Sequence, residues 1–230
     1  MKNFFQIIFL LLLFAFGCGL PGRLANLTSN SGTAPSGGPS SGGDAAPPSG
    51  NPRNDVVTMS KKFLDVPKFS AKMDGRGTNE LHMKLDYVAP DRFHMFFFDN
   101  NGQVKTESVM IGKDMYMRMG SRWQKFPGMV GDNKIINLRD MFNEEGLKNL
   151  KDVKYEGDDS VDGKPAHVYS YESDKTATNS MAPYPYTSKI WVGANDGLPK
   201  KIEVTYEGGD LKTMNIVYDY SSSISVEPPV

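Results

Sequence analysis

From Leu81 onward the chain is made of short runs in which apolar and polar residues alternate, each closed by turn-forming residues, and this dictates antiparallel β-structure. Leu81, Met83, Leu85 and Tyr87 fall on one face of an extended segment, with His82, Lys84 and Asp86 on the other. Phe93–Phe98 follows, then Asp99-Asn100-Asn101-Gly102, a run from Gln103 to Ile111, the turn Gly112-Lys113-Asp114 and a strand Met115–Met119. Gly120-Ser121 reverses the chain into Arg122-Trp123-Gln124-Lys125-Phe126, which Pro127 stops. Asp162-Gly163, Asn195-Asp196-Gly197 and Gly208-Gly209 mark later reversals. Connections this short make hairpins. The segments amount to about ten or eleven strands in one domain, a number at which an open twisted sheet curls.

Phe93, Met95 and Phe97 occupy one face of their strand while Phe96 and Phe98 occupy the other, so both faces need cover. One stretch changes period. Between Lys134 and Leu150 the residues Ile135, Leu138, Met141, Phe142, Leu147 and Leu150 stand near helical spacing. The expected fold is therefore mainly β: a curled antiparallel sheet, an unclosed half-barrel, with a helix near 134–150 over its concave apolar face.

The N-terminal region has a different character. Met1-Lys2-Asn3 leads into an apolar run from Phe4 to Phe16 and then Gly17-Cys18, the three-part plan of an export signal. The run is shorter than the roughly 20 residues that span a bilayer. Cys18 is the only cysteine, so no intramolecular disulfide is available. Ala15-Phe16-Gly17-Cys18 resembles the lipobox of bacterial lipoproteins, in which the cysteine receives a diacylglycerol and becomes the new N-terminus. That resemblance implies a signal peptide over 1–17 and lipidation at Cys18, two acyl chains giving stable anchoring. An ordinary secretory signal carrying a chance cysteine is the alternative.

From Gly19 to about Asn54 the chain is almost all Gly, Ser, Pro, Ala and Asn, with too few bulky side chains to fold. As a flexible tether of about 35 residues it would reach roughly 30 Å. The expected division is thus 1–17 signal, 18–55 lipidated cysteine and tether, and 56–230 a single β-domain. Net charge is −1, with Lys and Arg scattered among Asp and Glu, which removes the electrostatic basis for nucleic-acid binding.

Several local patterns, taken in order, resemble those of the LolA and LolB lipoprotein carriers and the mycobacterial LppX and LprG lipoproteins over most of residues 65–220. They are Tyr87-Val88-Ala89-Pro90-Asp91-Arg92-Phe93; Ile111-Gly112-Lys113 leading to Tyr116; Trp123 before Pro127; Asp162-Gly163-Lys164-Pro165-Ala166; and Ile190-Trp191-Val192 followed by Gly197-Leu198-Pro199. Gly193 departs from the acidic residue common there. The resemblance implies an unclosed barrel whose apolar concave side, lidded by helices, holds acyl chains of lipids or lipoproteins. It also implies a lid-holding role for Arg92, for which a surface ion pair is the equal alternative.

Nothing in the sequence composes a catalytic site. His82, His94 and His167 form no metal-ligand spacing, and no cysteine is left to join them. Glu144-Glu145 and Asp158-Asp159 read as solvated pairs. No Gly-x-Ser-x-Gly elbow is present. The chain has 13 methionines, with Met115, Met117 and Met119 on one strand face; thioethers make adaptable apolar surfaces and also fill irregular cores. With the resemblance, the expected apolar cavity is lined by Phe93, Met95, Phe97, Met115, Met117, Trp123 and Trp191.

The expected function is a non-enzymatic, lipid-anchored carrier or receptor of acyl chains in the cell envelope, facing periplasm or exterior. Gly19, unlike the Asp that retains enteric lipoproteins, points to the outer membrane where there is one. Its expected partners are a lipid or lipoprotein, the membrane and, in the alternative reading, an envelope protein bound by an RseB-like sensor. No cofactor or metal is expected beyond a bound lipid and the diacylglycerol on Cys18.

Overall fold

The computed structural model describes residues 48–128, 142, 144–173 and 184–229. The expected signal, Cys18, most of the tether and residues 134–141 of the expected helix lie outside them.

Eleven strands among the described residues form one antiparallel sheet: β1 (Lys68–Gly77), β2 (Leu81–Val88), β3 (Arg92–Phe98), β4 (Val104–Ile111), β5 (Asp114–Met119), β6 (Arg122–Phe126), β7 (Leu150–Val161), β8 (Lys164–Ser173), β9 (Tyr186–Gly193), β10 (Pro199–Tyr206) and β11 (Leu211–Asp219). Their order across the sheet is β6-β5-β4-β3-β2-β1-β11-β10-β9-β8-β7. Two meanders therefore meet where β1 pairs with β11, and the sheet does not close: β6 and β7 are its edges. This is the expected unclosed, curled antiparallel sheet. Local chemistry sets the hairpins, as at Asp162 (φ 50°) and Gly163 (φ 73°), two consecutive left-handed residues that join β7 to β8 as a type I′ turn requires.

Two helices are described, α1 (Pro52–Leu64) and the short α2 (Glu144–Lys148). α1 begins inside the stretch expected to be tether, and its start is built from local rules. The Asn51 side chain accepts from the Asn54 N–H at 3.1 Å, Pro52 sits in the first turn, and Lys61 and Lys62 lie in the last. Its buried residues Val56, Met59, Ser60 and Phe63 make one stripe. Phe63 meets Phe69, Phe142 and Tyr218 at ring-centroid distances of 5.1, 5.1 and 5.3 Å. The Arg53 guanidinium donates to the carbonyls of Leu150 (2.6 Å) and Leu147 (3.1 Å), and the Tyr169 hydroxyl donates to Asp55 (3.0 Å). In the described residues the helix over the inner face is thus chiefly α1. The expected 134–150 helix is described only as Phe142 in the core and α2, and Leu150 already belongs to β7.

The face beneath α1, here the inner face, is one apolar core. It draws on Phe69, Ala71 and Met73 of β1, Met83, Leu85 and Tyr87 of β2, and Ile190, Ile202 and Ile216 on the far side, each nearly or wholly buried.

Candidate ligand-binding face

Ladder pairing fixes which side chains share a face, because directly paired residues point the same way. One inner row runs Tyr87, Phe93, Met110, Met115, Phe126 across β2 to β6; the next runs Leu85, Met95, Ser108, Met117, Gln124; a third runs Met83, Phe97, Thr106. Phe93, Met95, Phe97, Met115 and Met117, five of the seven residues expected to line a cavity, are therefore brought together on the inner face.

Trp123 and Trp191 are not. Trp123 pairs with Arg118, in the row parity of Tyr116 and Val109, and packs with those two on the outer face. Trp191 pairs with Val168 and Lys201, also on the outer face, where it joins Ala166 and Val168. Its indole N–H donates to Asp159 at 2.9 Å, and the Lys201 and Lys189 ammonium groups lie 4.4 and 4.9 Å from its ring centre. A shared cavity lined by all seven is corrected by this register: the tryptophans back the sheet.

The inner face changes in cover along its length. At β1 and β2 the side chains are sealed, whereas Met95 and Met110 on the next strands are buried but Phe93, Phe97, Met115 and Met117 are half-buried. An unbroken line of rings links the two regions: Phe63 to Phe69 (5.1 Å), Phe69 to Tyr87 (5.1 Å) and Tyr87 to Phe93 (5.2 Å). The first two inner rows carry no charged residue over β2 to β6, and the third carries none over β2 to β4; on β5 and β6 that side ends at the exposed pair Met119 and Arg122.

The far side of the inner face carries hydroxyls that sequence reasoning missed. Tyr171, Tyr186, Tyr206, Ser173 and Ser188 are all buried there. Burial pushes the Tyr171 and Tyr206 phenols well above their ordinary range, so they remain protonated and uncharged. The signal was present as the alternation Tyr169, Tyr171, Ser173 in β8.

Most charge lies on the outer face and rims, the exceptions on the inner side among the described residues being Asp55 of α1, which accepts from the Tyr169 hydroxyl, and the His167–Asp158 pair in the row of Val192. A cleft of about 740 Å³ on the outer face and rims is lined by residues of both signs, among them Lys72, Lys84, Lys200, Asp196 and Asp219, and does not suit an acyl chain. Each histidine meets a carboxylate: His82 with Asp74 (2.8 Å), His94 with Glu107 (2.9 Å) and His167 with Asp158 (2.6 Å). Burial alone would raise the Glu107 carboxyl, but the hydrogen bonds from Arg118 and His94 outweigh it and hold the group below its usual range. Among the described residues no group of three or more His, Cys, Asp or Glu gathers as metal ligands, and no helix is long and apolar enough to cross a membrane.

The hydrogen bond to Asp74 raises the His82 imidazole above its ordinary 6.5, against a smaller lowering by burial. A raised pKa means stabilisation that is full below the unfolded value and lost as pH rises through the folded one. NMR titration is expected to place the His82 midpoint above 6.5, and Asp74→Asn to return it toward that value. A midpoint unmoved by the substitution would remove the pair as its cause.

Arg92 lies at the edge of the outer face. Its Nη1 donates to the Val226 carbonyl at 3.0 Å and to Glu227 at 3.1 Å, holding the C-terminal segment.

No protein-family model matches the chain, and no curated protein sequence matches it. Solved structures do. The lipoprotein LppX of Mycobacterium tuberculosis aligns over 76% of this chain and 99% of its own, with a TM-score of 0.53 at 10% identity. LprF from Mycobacterium bovis aligns over 79% and 98%, with a TM-score of 0.55 at 12% identity. The chain shares the fold of LppX and LprF. The LppX-like fold expected from the sequence is therefore the one observed, and at these identities the likeness is one of fold.

Proposed function

We propose that this protein is a lipid-anchored receptor or carrier of the cell envelope that holds the acyl chain of a lipid or lipoprotein against the inner face of its half-barrel. One observation carries the reading: the apolar side chains sealed under α1 at β1 and β2 give way, on the same face, to Phe93, Phe97, Met115 and Met117, which are only half-covered. A soluble domain that leaves bulky apolar side chains half-covered beside its core has a surface suited to an apolar ligand. Each methylene buried there contributes about 0.8 kcal/mol, so an acyl chain binds without any directional contact. The fold shared with the lipoprotein LppX supports the same reading.

No catalysis belongs to this function. The anchor is the diacylglycerol expected on Cys18, and the Gly/Ser/Pro segment after it gives the domain its reach from the membrane, the outer membrane in cells that have one.

Native mass spectrometry with solvent extraction tests the proposal on the protein carrying Cys18→Ser, so that its own anchor is not mistaken for cargo. A stoichiometric acyl-containing adduct is expected. Protein that is empty as purified, and stays empty when offered phospholipid, acylglycerol and lipopeptide, would overturn it.

A further inference from the structure

After β11 the chain lies extended across the outer face. Exposure alternates along it: Ser223, Ser225 and Glu227 are exposed, Ile224 is half-buried and Val226 is only 2% exposed. Ile224 and Val226 fill an apolar groove formed by Val88, Val109, Ile111, Tyr116 and Trp123. From Ser223 on, the only hydrogen bond to the segment's backbone among the described residues is that from Arg92 to the Val226 carbonyl. The same guanidinium holds the Glu227 carboxylate.

The groove is thus occupied by two side chains and one carboxylate on a segment that leaves the sheet through Ser221, Ser222 and Ser223. Little holds it: no ladder is formed, and ordering the segment costs entropy that two apolar side chains must offset. The groove's charge complements an acid at Arg92, which stands at its end, whereas Lys125, 5.5 Å from the Tyr116 ring centre, is paired with Asp114 at 2.6 Å.

We propose that this groove is a docking site for an extended segment of a partner protein bearing β-branched residues at alternate positions followed by a carboxylate. Residues 223–229 are the strap that such a segment displaces, while Ser221 and Ser222 stay tied to the Asp219 carboxylate. The strap's own sequence states the recognition rule: Ile224 and Val226 supply the two apolar anchors and Glu227 the acid for Arg92. The site lies on the face opposite the proposed acyl surface and does not depend on that reading.

The probe is a fluorescein-labelled peptide of residues 221–230, titrated by anisotropy into the whole chain and into its Val226→Asp variant, whose strap is released. Binding to the variant is expected to be about tenfold or more tighter than to the intact chain, and Arg92→Ala in the variant is expected to weaken it by about as much. Equal affinity for intact and released chains, or no binding to either, would overturn the proposal. Hydrogen exchange on the unaltered chain gives an independent reading. Excess unlabelled peptide is expected to speed exchange at residues 223–227 and leave β10 and β11 unchanged, and unaltered exchange counts against displacement. Dimers that dissociate on adding peptide would assign the groove to the strap of a second copy and overturn the partner reading.

Discussion

Phe97→Glu is expected to abolish retention of an acyl ligand while Phe96→Glu, one residue away, leaves it intact. The two side chains are neighbours in sequence and opposite in space. Phe97 pairs with Met83 and Thr106 in an inner row, whereas Phe96 pairs with Lys84 and Glu107 and stacks on His94 at 4.1 Å on the outer face. Setting a carboxylate against bound hydrocarbon strips it of water at an effective cost of several kcal/mol, and each 1.4 kcal/mol is a factor of ten. Affinity is therefore expected to fall on the order of a hundredfold or more in the first variant. Because Phe97 is half-buried, the empty variant is expected to remain folded. Lipid content by native mass spectrometry, alongside urea midpoints, separates lost binding from lost folding. Equal losses in both variants would mean that the face, as assigned by register, is not the binding face.

Truncating Phe63 to alanine is expected to be the most damaging single change to the fold. Phe63 is fully buried and joins α1 to the sheet through Phe69, Tyr218 and Phe142 at once. Large-to-small changes at such sites cost about 3–5 kcal/mol, a large share of a stability of about 5–15 kcal/mol. Urea unfolding is the measurement. Lys61→Ala, exposed on the other side of the same helix, is expected to stay within about 0.5 kcal/mol. A Phe63→Ala cost below about 1 kcal/mol would show α1 to be an accessory to the core and not part of it.

Much of this architecture was written in alternation and turn residues. The strands from β2 to β6 and the hairpins between them follow from Leu81-x-Met83-x-Leu85-x-Tyr87 and from the Gly-containing turns, and Phe93, Met95 and Phe97 announce a face by parity alone. α1 was masked because it follows a stretch too poor in bulky residues to fold and opens with Pro52-Arg53-Asn54, although Val56, Met59 and Phe63 already stand at helical spacing. β1 was masked by Ser70, Gly75 and Gly77, which interrupt an otherwise regular Phe69, Ala71, Met73. The tryptophans were misplaced by reading aromatic bulk as cavity lining. The two-residue turn Gly120-Ser121 pairs Met119 with Arg122 and hence Arg118 with Trp123, which puts Trp123 on the face opposite Met117. That inference needed only the turn length. Trp191 had no such signal, because its face depends on register against β8 and β10. The groove under the C-terminal segment joins Val88, Val109 and Val226, residues far apart in the chain, and no local pattern announces it.

The pairing of β1 with β11 has a consequence for how the domain comes into being. Among the described residues these strands are the first and last of the sheet, and their ladder, from Ser70 against Asp219 to Gly77 against Leu211, is the only seam between the two meanders. A ribosome delivers β1 long before β11, so the central seam cannot form until almost the entire domain has been made. Until then each meander exposes an unpaired strand edge, and closure must meet the entropy of a very long loop, which makes folding slow and the waiting chain prone to wrong pairing. The molecule assembles around a junction whose second strand is made long after its first.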